Sequence, residues 1–117
     1  MNLTQAAQDL HLNSYQWHLF LCADANKPKC CANRVTLVAW DYLKRRVREL
    51  GLDEGTLIVQ RSKVNCLRVC TQGPILVLYP GGFWYHSCTE PVLERILQEH
   101  ILKGQPVQDY LFAKPAS

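Results

Sequence analysis

The chain has no long apolar run: no segment of its 117 residues approaches the ~20 needed to span a membrane as a helix. Met1 to Asn13 lack the basic start and unbroken apolar stretch of a signal peptide, which points to a cytoplasmic protein. No C-x2-C occurs, so dithiol redox chemistry has no motif to carry it. Nucleophile elbow, phosphate loop and acid–base constellation are all missing, and the expectation is a non-enzyme. The basic residues lack the long surface or interleaved aromatic platforms that nucleic acid requires. What remains is an ordinary globular composition, 48% hydrophobic and 20% charged with net charge +3, in one domain able to bury roughly two-thirds of its unfolded surface.

Cysteine is the residue that is not scarce. Six are present, four of them in a broken pattern. Cys22 closes the apolar stretch Trp17-His18-Leu19-Phe20-Leu21, and Cys30 and Cys31 follow across a short polar loop. Cys66 and Cys70 form a C-x3-C pair just before the apolar run from Ile75 to Tyr79. In a reducing compartment such thiols serve as metal ligands or catalysts more readily than as disulfides. Two strands set side by side would gather four of them at one edge, which suits a 2Fe–2S cluster or a structural zinc.

The segments alternate between strand and helix. Trp17 to Leu21 reads as a buried strand. Val35 to Leu50 reads as a helix with Trp40, Leu43, Val47 and Leu50 on one face, Asp41 placed to pair with Arg45, and Gly51 as the stop. Thr56 to Gln60 is a short strand candidate. Ile75 to Tyr79 has the continuous apolar character of a central strand. Pro80-Gly81-Gly82 turns the chain into a partner strand, Phe83 to His86. Thr89 caps a last helix with Pro91 in its first turn, an apolar stripe of Val92, Leu93, Ile96, Leu97 and Ile101, and Gly104 at its end.

From Trp17 to Phe112, 96 of the 117 residues, the chain resembles the thioredoxin-like 2Fe–2S ferredoxins of bacteria. Five pieces carry the likeness: His18-Leu19-Phe20-Leu21-Cys22, Lys29-Cys30-Cys31, Asn65-Cys66-Leu67-Arg68-Val69-Cys70, Gly73-Pro74, and Tyr79-Pro80-Gly81-Gly82-Phe83-Trp84-Tyr85. The resemblance implies an α/β, thioredoxin-like fold with a four-stranded mixed sheet and two main helices. It implies residues 1–16 as a short N-terminal extension, 17–112 as the domain and 113–117 as a tail. It also implies a 2Fe–2S cluster on Cys22, one member of Cys30–Cys31, Cys66 and Cys70. Cys31 is favoured because Cys31-Ala32-Asn33-Arg34 is most similar to the family's second ligand and the start of its helix, with Cys30 as the alternative.

The implied role is a one-electron carrier working with a reductase or oxidoreductase, as a homodimer, without nucleic acid or membrane. Two other readings stand beside it. One is an electron-transfer subunit of a flavin- and nicotinamide-dependent dehydrogenase or hydrogenase complex. The other is an interaction module held by a four-cysteine zinc site. Cys88 matches no family ligand and is expected as a packed or half-exposed free thiol. His18 is expected as a satisfied polar residue. His86 lacks the His–Cys spacing of a Rieske site, and Trp84 and Tyr85 suit hairpin packing or a dimer contact. Lys44, Arg45, Arg46 and Arg48 suit a solvated helix face. Arg61, Lys63 and Arg68 flank the second cysteine pair, where positive charge would steer an acidic partner. Arg68 would also favour the reduced cluster, whose charge is about −3 against about −2 when oxidised.

Overall fold

Side chains along the first strand alternate between two surfaces, and that alternation organises the domain. In β1 (Trp17–Cys22), Leu19 and Leu21 are wholly buried while His18 and Phe20 project to the opposite side and are only half-covered. The computed structural model describes residues 2–22, 33–65 and 72–114. After β1 come α2 (Asn33–Glu49), β2 (Val59–Val64), β3 (Leu76–Tyr79), β4 (Phe83–Tyr85), α3 (Glu90–Arg95) and β5 (Leu111–Ala113); α1 (Leu3–Asp9) precedes them.

These strands form one mixed sheet in the order β2-β1-β3-β4-β5. β1 and β2 are parallel, with Leu19 level with Arg61 and Cys22 level with Val64. A parallel pair cannot be joined by a hairpin, and α2 provides the crossover. The remaining pairings, β1 with β3, β3 with β4 and β4 with β5, are antiparallel. β3 is therefore the central strand, and Leu76, Val77 and Leu78 are all buried.

The α/β mixed sheet and two main helices are those expected, with one correction to the strand count. A fifth strand pairs Leu111 and Ala113 with Tyr85 and Trp84 across an irregular register. It is three residues long and largely exposed, so no alternation announces it in the sequence. β2 begins three residues later than expected and runs through Arg61, Ser62 and Lys63. As an edge strand it needs apolar residues on little of its length, and its polar composition hid it.

α2 starts two residues earlier than its apolar pattern suggested, and its buried face is Thr36, Ala39, Leu43 and Val47, flanked by Trp40 and Leu50. The expected Asp41–Arg45 pair does not form. Asp41 meets Lys44 at 3.5 Å and Arg45 meets Glu49 at 3.7 Å. Thr89 is the N-cap of α3, though its side chain makes no capping bond. The helix continues as a π-helical segment over Ile96–Ile101, where the Leu102 amide reaches back five residues to Leu97. The whole predicted stripe from Val92 to Ile101 is buried against the sheet.

α1 lies within the short extension and is fastened at its far end, where the Gln60 side-chain Nε2 donates to the Leu10 carbonyl. Among the described residues, no helix is long and apolar enough to cross a membrane.

Candidate metal centre

Cys22 ends β1, and the strand's own pairing holds it in place. Its amide donates to the Ile75 carbonyl at 2.9 Å, just ahead of β3, and its thiol donates to the Asn65 carbonyl at 2.9 Å, just beyond β2. Only 3% of the residue is exposed. A single cysteine thus ties together the ends of three strands. Asn65 directly precedes Cys66 in the chain, and Ile75 follows Cys70 by five residues.

The other expected ligands, Cys31 with Cys30 as its alternative, Cys66 and Cys70, lie outside the described residues. Their neighbours in sequence do not. α2 begins at Asn33, two residues after Cys31, and the chain is described again from Gln72, two residues after Cys70. Gln72 and Ser87 both have positive φ, 52° and 56°, and the Ser87 amide donates to the Gln72 carbonyl at 2.7 Å. Two non-glycine residues in the left-handed region persist only where their surroundings hold them, and here they hold each other.

The donor chemistry at this edge is thiol chemistry. His18 Nε2 is 2.8 Å from Ser62 Oγ and its ring stacks on Phe20 at 4.0 Å, as a satisfied polar residue should. His86 Nδ1 is 2.8 Å from Ser87 Oγ. Both histidines are occupied, and Cys22 presents the soft donor. Binding a metal requires the thiolate, so the proton that Cys22 shares with Asn65 must leave on ligation. Cys88 is different. It is fully buried, and burial pushes its thiol well above the ordinary range, which keeps it protonated. Of the two states the sequence left open, packed or half-exposed, it takes the packed one. Among the described residues, no three His, Cys, Asp or Glu side chains converge to hold an ion, because four of the six cysteines fall elsewhere.

One polar constellation escaped the sequence reading. His100 and Tyr85 are 2% and 0% exposed. The Tyr85 hydroxyl accepts from the Val107 amide at 3.0 Å and so donates to His100 Nδ1 at 2.6 Å, leaving Nε2 protonated. Burial pushes His100 down to about 4. The signal available was a histidine lying inside the apolar stripe between Leu97 and Ile101.

Arg61 shares the sheet face of its register partner Leu19, so it stands beneath α2 instead of beside the cysteine edge.

No protein-family model matches the chain. It is 29% identical over 101 residues to a protein of Priestia megaterium assigned as a 2Fe–2S ferredoxin, covering 86% of this chain and 73% of that one. It is 27% identical over 95 residues to a 2Fe–2S ferredoxin of Clostridium pasteurianum, covering 78% of this chain and 90% of the other. The crystal structure of a thioredoxin-like [2Fe–2S] ferredoxin from Aquifex aeolicus superposes with a TM-score of 0.70 at 23% identity, over 84% of this chain and 97% of that one. With this fold, similarity to these relatives along most of its length and a buried cysteine where three strand ends meet, the chain is similar to the 2Fe–2S ferredoxins and shares the fold of the thioredoxin-like ones.

Proposed function

We propose that this protein is a cytoplasmic one-electron carrier whose 2Fe–2S cluster is held by Cys22, Cys31, Cys66 and Cys70. The observation that carries the reading is the Cys22 thiol, buried at the end of β1 and bonded to the carbonyl that precedes Cys66. The names of the relatives support the same cofactor. When bound, such a cluster supplies a single-electron couple and no substrate chemistry. The chain's own residues do the rest. The hydrogen bonds from Cys22 to Asn65 and Ile75 would hold the Cys22 ligand in place, and Leu19, Leu21 and Leu76 buried behind it would exclude water. Cys88 stays a neutral thiol and does not compete for iron.

A homodimer is part of the proposal. The sheet face opposite α2 and α3 carries Phe20, Tyr79, Trp84 and Phe112, and Tyr79 and Phe112 are 45% and 44% exposed. Tyr85, from the same hairpin, is spent inside the core, so of Trp84 and Tyr85 only Trp84 is left for such a contact.

Anaerobically purified protein is expected to be red-brown, to contain two iron and two sulfide per chain, to bleach with dithionite and then to give the EPR signal of a one-electron-reduced 2Fe–2S centre. A colourless protein with stoichiometric zinc and no sulfide would overturn the proposal.

A further inference from the structure

We infer that the cleft between α2 and β2 is a binding site for a small oxyanion, a carboxylate or a phosphate monoanion, gripped by Arg61 and Arg48. The cleft is about 340 Å³, opens to solvent and is lined by Asp41, Lys44, Val47 and Arg48 of α2, Asp53 of the following loop and Arg61 of β2. Arg61 Nε is wholly screened from solvent and has no hydrogen-bond acceptor among the described residues. The rest of its guanidinium makes no hydrogen bond or ion pair among the described residues, so the side chain lines the cleft with its donors unspent.

Lys44 and Asp41 of the lining pair with each other at 3.5 Å, but the other charges there are unspent. Among the described residues no ion pair or side-chain hydrogen bond engages Arg48, Arg61 or Asp53, although Arg46, Arg45 and Arg95 on the same molecule all find carboxylates. Arg48 is one turn on from Lys44, so both can face the cleft floor that Arg61 supplies from the strand. Two guanidinium groups lining one cleft offer donors that a single oxyanion can accept from at once. Asp41 and Asp53, also in the lining, restrict what fits. They would repel a polyphosphate or nucleic acid while tolerating a single small anion. The site lies along the crossover helix and the edge strand, away from the Cys22 end of the sheet. It does not depend on the cluster.

The test uses the full chain as purified, titrated with sodium phosphate and separately with sodium acetate, with ionic strength held constant by sodium chloride. The Arg61 Nε–H and the backbone amides near Asp53 are followed by proton–nitrogen NMR. Saturating shifts at those signals are expected, and Arg61→Gln or Arg48→Gln should each weaken binding about tenfold, while Lys103→Gln leaves it unchanged. Saturation by phosphate alone or by acetate alone identifies which oxyanion the cleft takes. If Arg61→Gln does not fold, Arg48→Gln and the native Arg61 Nε–H signal still decide. Shifts that follow ionic strength without saturating, or native affinity retained in Arg48→Gln, would overturn the assignment.

Discussion

Serine at Cys22, Cys66 or Cys70 exchanges a thiolate for a weaker oxygen donor, and each change is expected to perturb or abolish the visible spectrum. Cys31→Ser should be damaging and Cys30→Ser mild. If both are tolerated singly and only the double change destroys the spectrum, the loop exchanges ligands. Cys88→Ala should leave the spectrum untouched, because its buried thiol is held protonated. At the other end of the core, the Tyr85 hydroxyl satisfies both the Val107 amide and His100. Tyr85→Phe strands both partners and should cost about 1–3 kcal/mol in denaturant unfolding. His100 also sets a pH response. It is neutral when folded down to about pH 4, whereas the unfolded chain takes up that proton near 6.5. Its contribution is therefore complete above pH 6.5 and is lost as pH falls toward 4, by at most roughly 3 kcal/mol. Burial lowers His18 as well, in the same direction. Unfolding midpoints of His100→Gln and His18→Gln against pH separate the two, and an unchanged slope in His100→Gln would rule out the buried imidazole as its source.

At the scale of elements, the basic run on α2 is a clasp as well as a solvated face. Arg46 Nε lies 2.8 Å from Glu94 Oε1 on α3, its NH2 group 3.0 Å from the other oxygen, and the Tyr42 hydroxyl donates to Glu94 at 2.6 Å. Both charged side chains are about three-quarters buried, with 25% and 27% exposed. The hydrogen bonds from Arg46, chiefly, hold the Glu94 carboxyl down to about 2. A depressed carboxylate stabilises above its unfolded value and loses that contribution as pH falls, here between 4.5 and about 2. Glu94→Gln should lower the melting temperature at neutral pH and flatten the acid limb of the stability curve, while leaving the loss between pH 6.5 and 4 in place. Lys44 and Arg45 behave as the sequence suggested, in exposed pairs with Asp41 and Glu49 that contribute little.

For the whole molecule, the proposed electron-carrier role together with net charge +3, and with Lys63 and Arg68 close in sequence to the second cysteine pair, leads us to propose an acidic docking partner. Electron transfer from a reductase should slow as salt rises and should slow further in Arg68→Glu. A rate flat with salt and indifferent to the reversal would move the docking face elsewhere. Much of the fold was legible beforehand, since β1, α2, β3 and the hairpin turn each write a strong local pattern. Burial period, turn glycines and the placing of Cys22 at the end of an apolar strand are local properties, and the sequence by itself determined them. β5, the start of β2, the place of Arg61 beneath α2 and the partners of Arg46 and His100 were decided only by tertiary structure. Edge strands need little apolar character of their own. A charged or imidazole side chain takes its role from whatever the chain brings opposite it, and those neighbours are 15 residues away for His100 and 48 for Arg46.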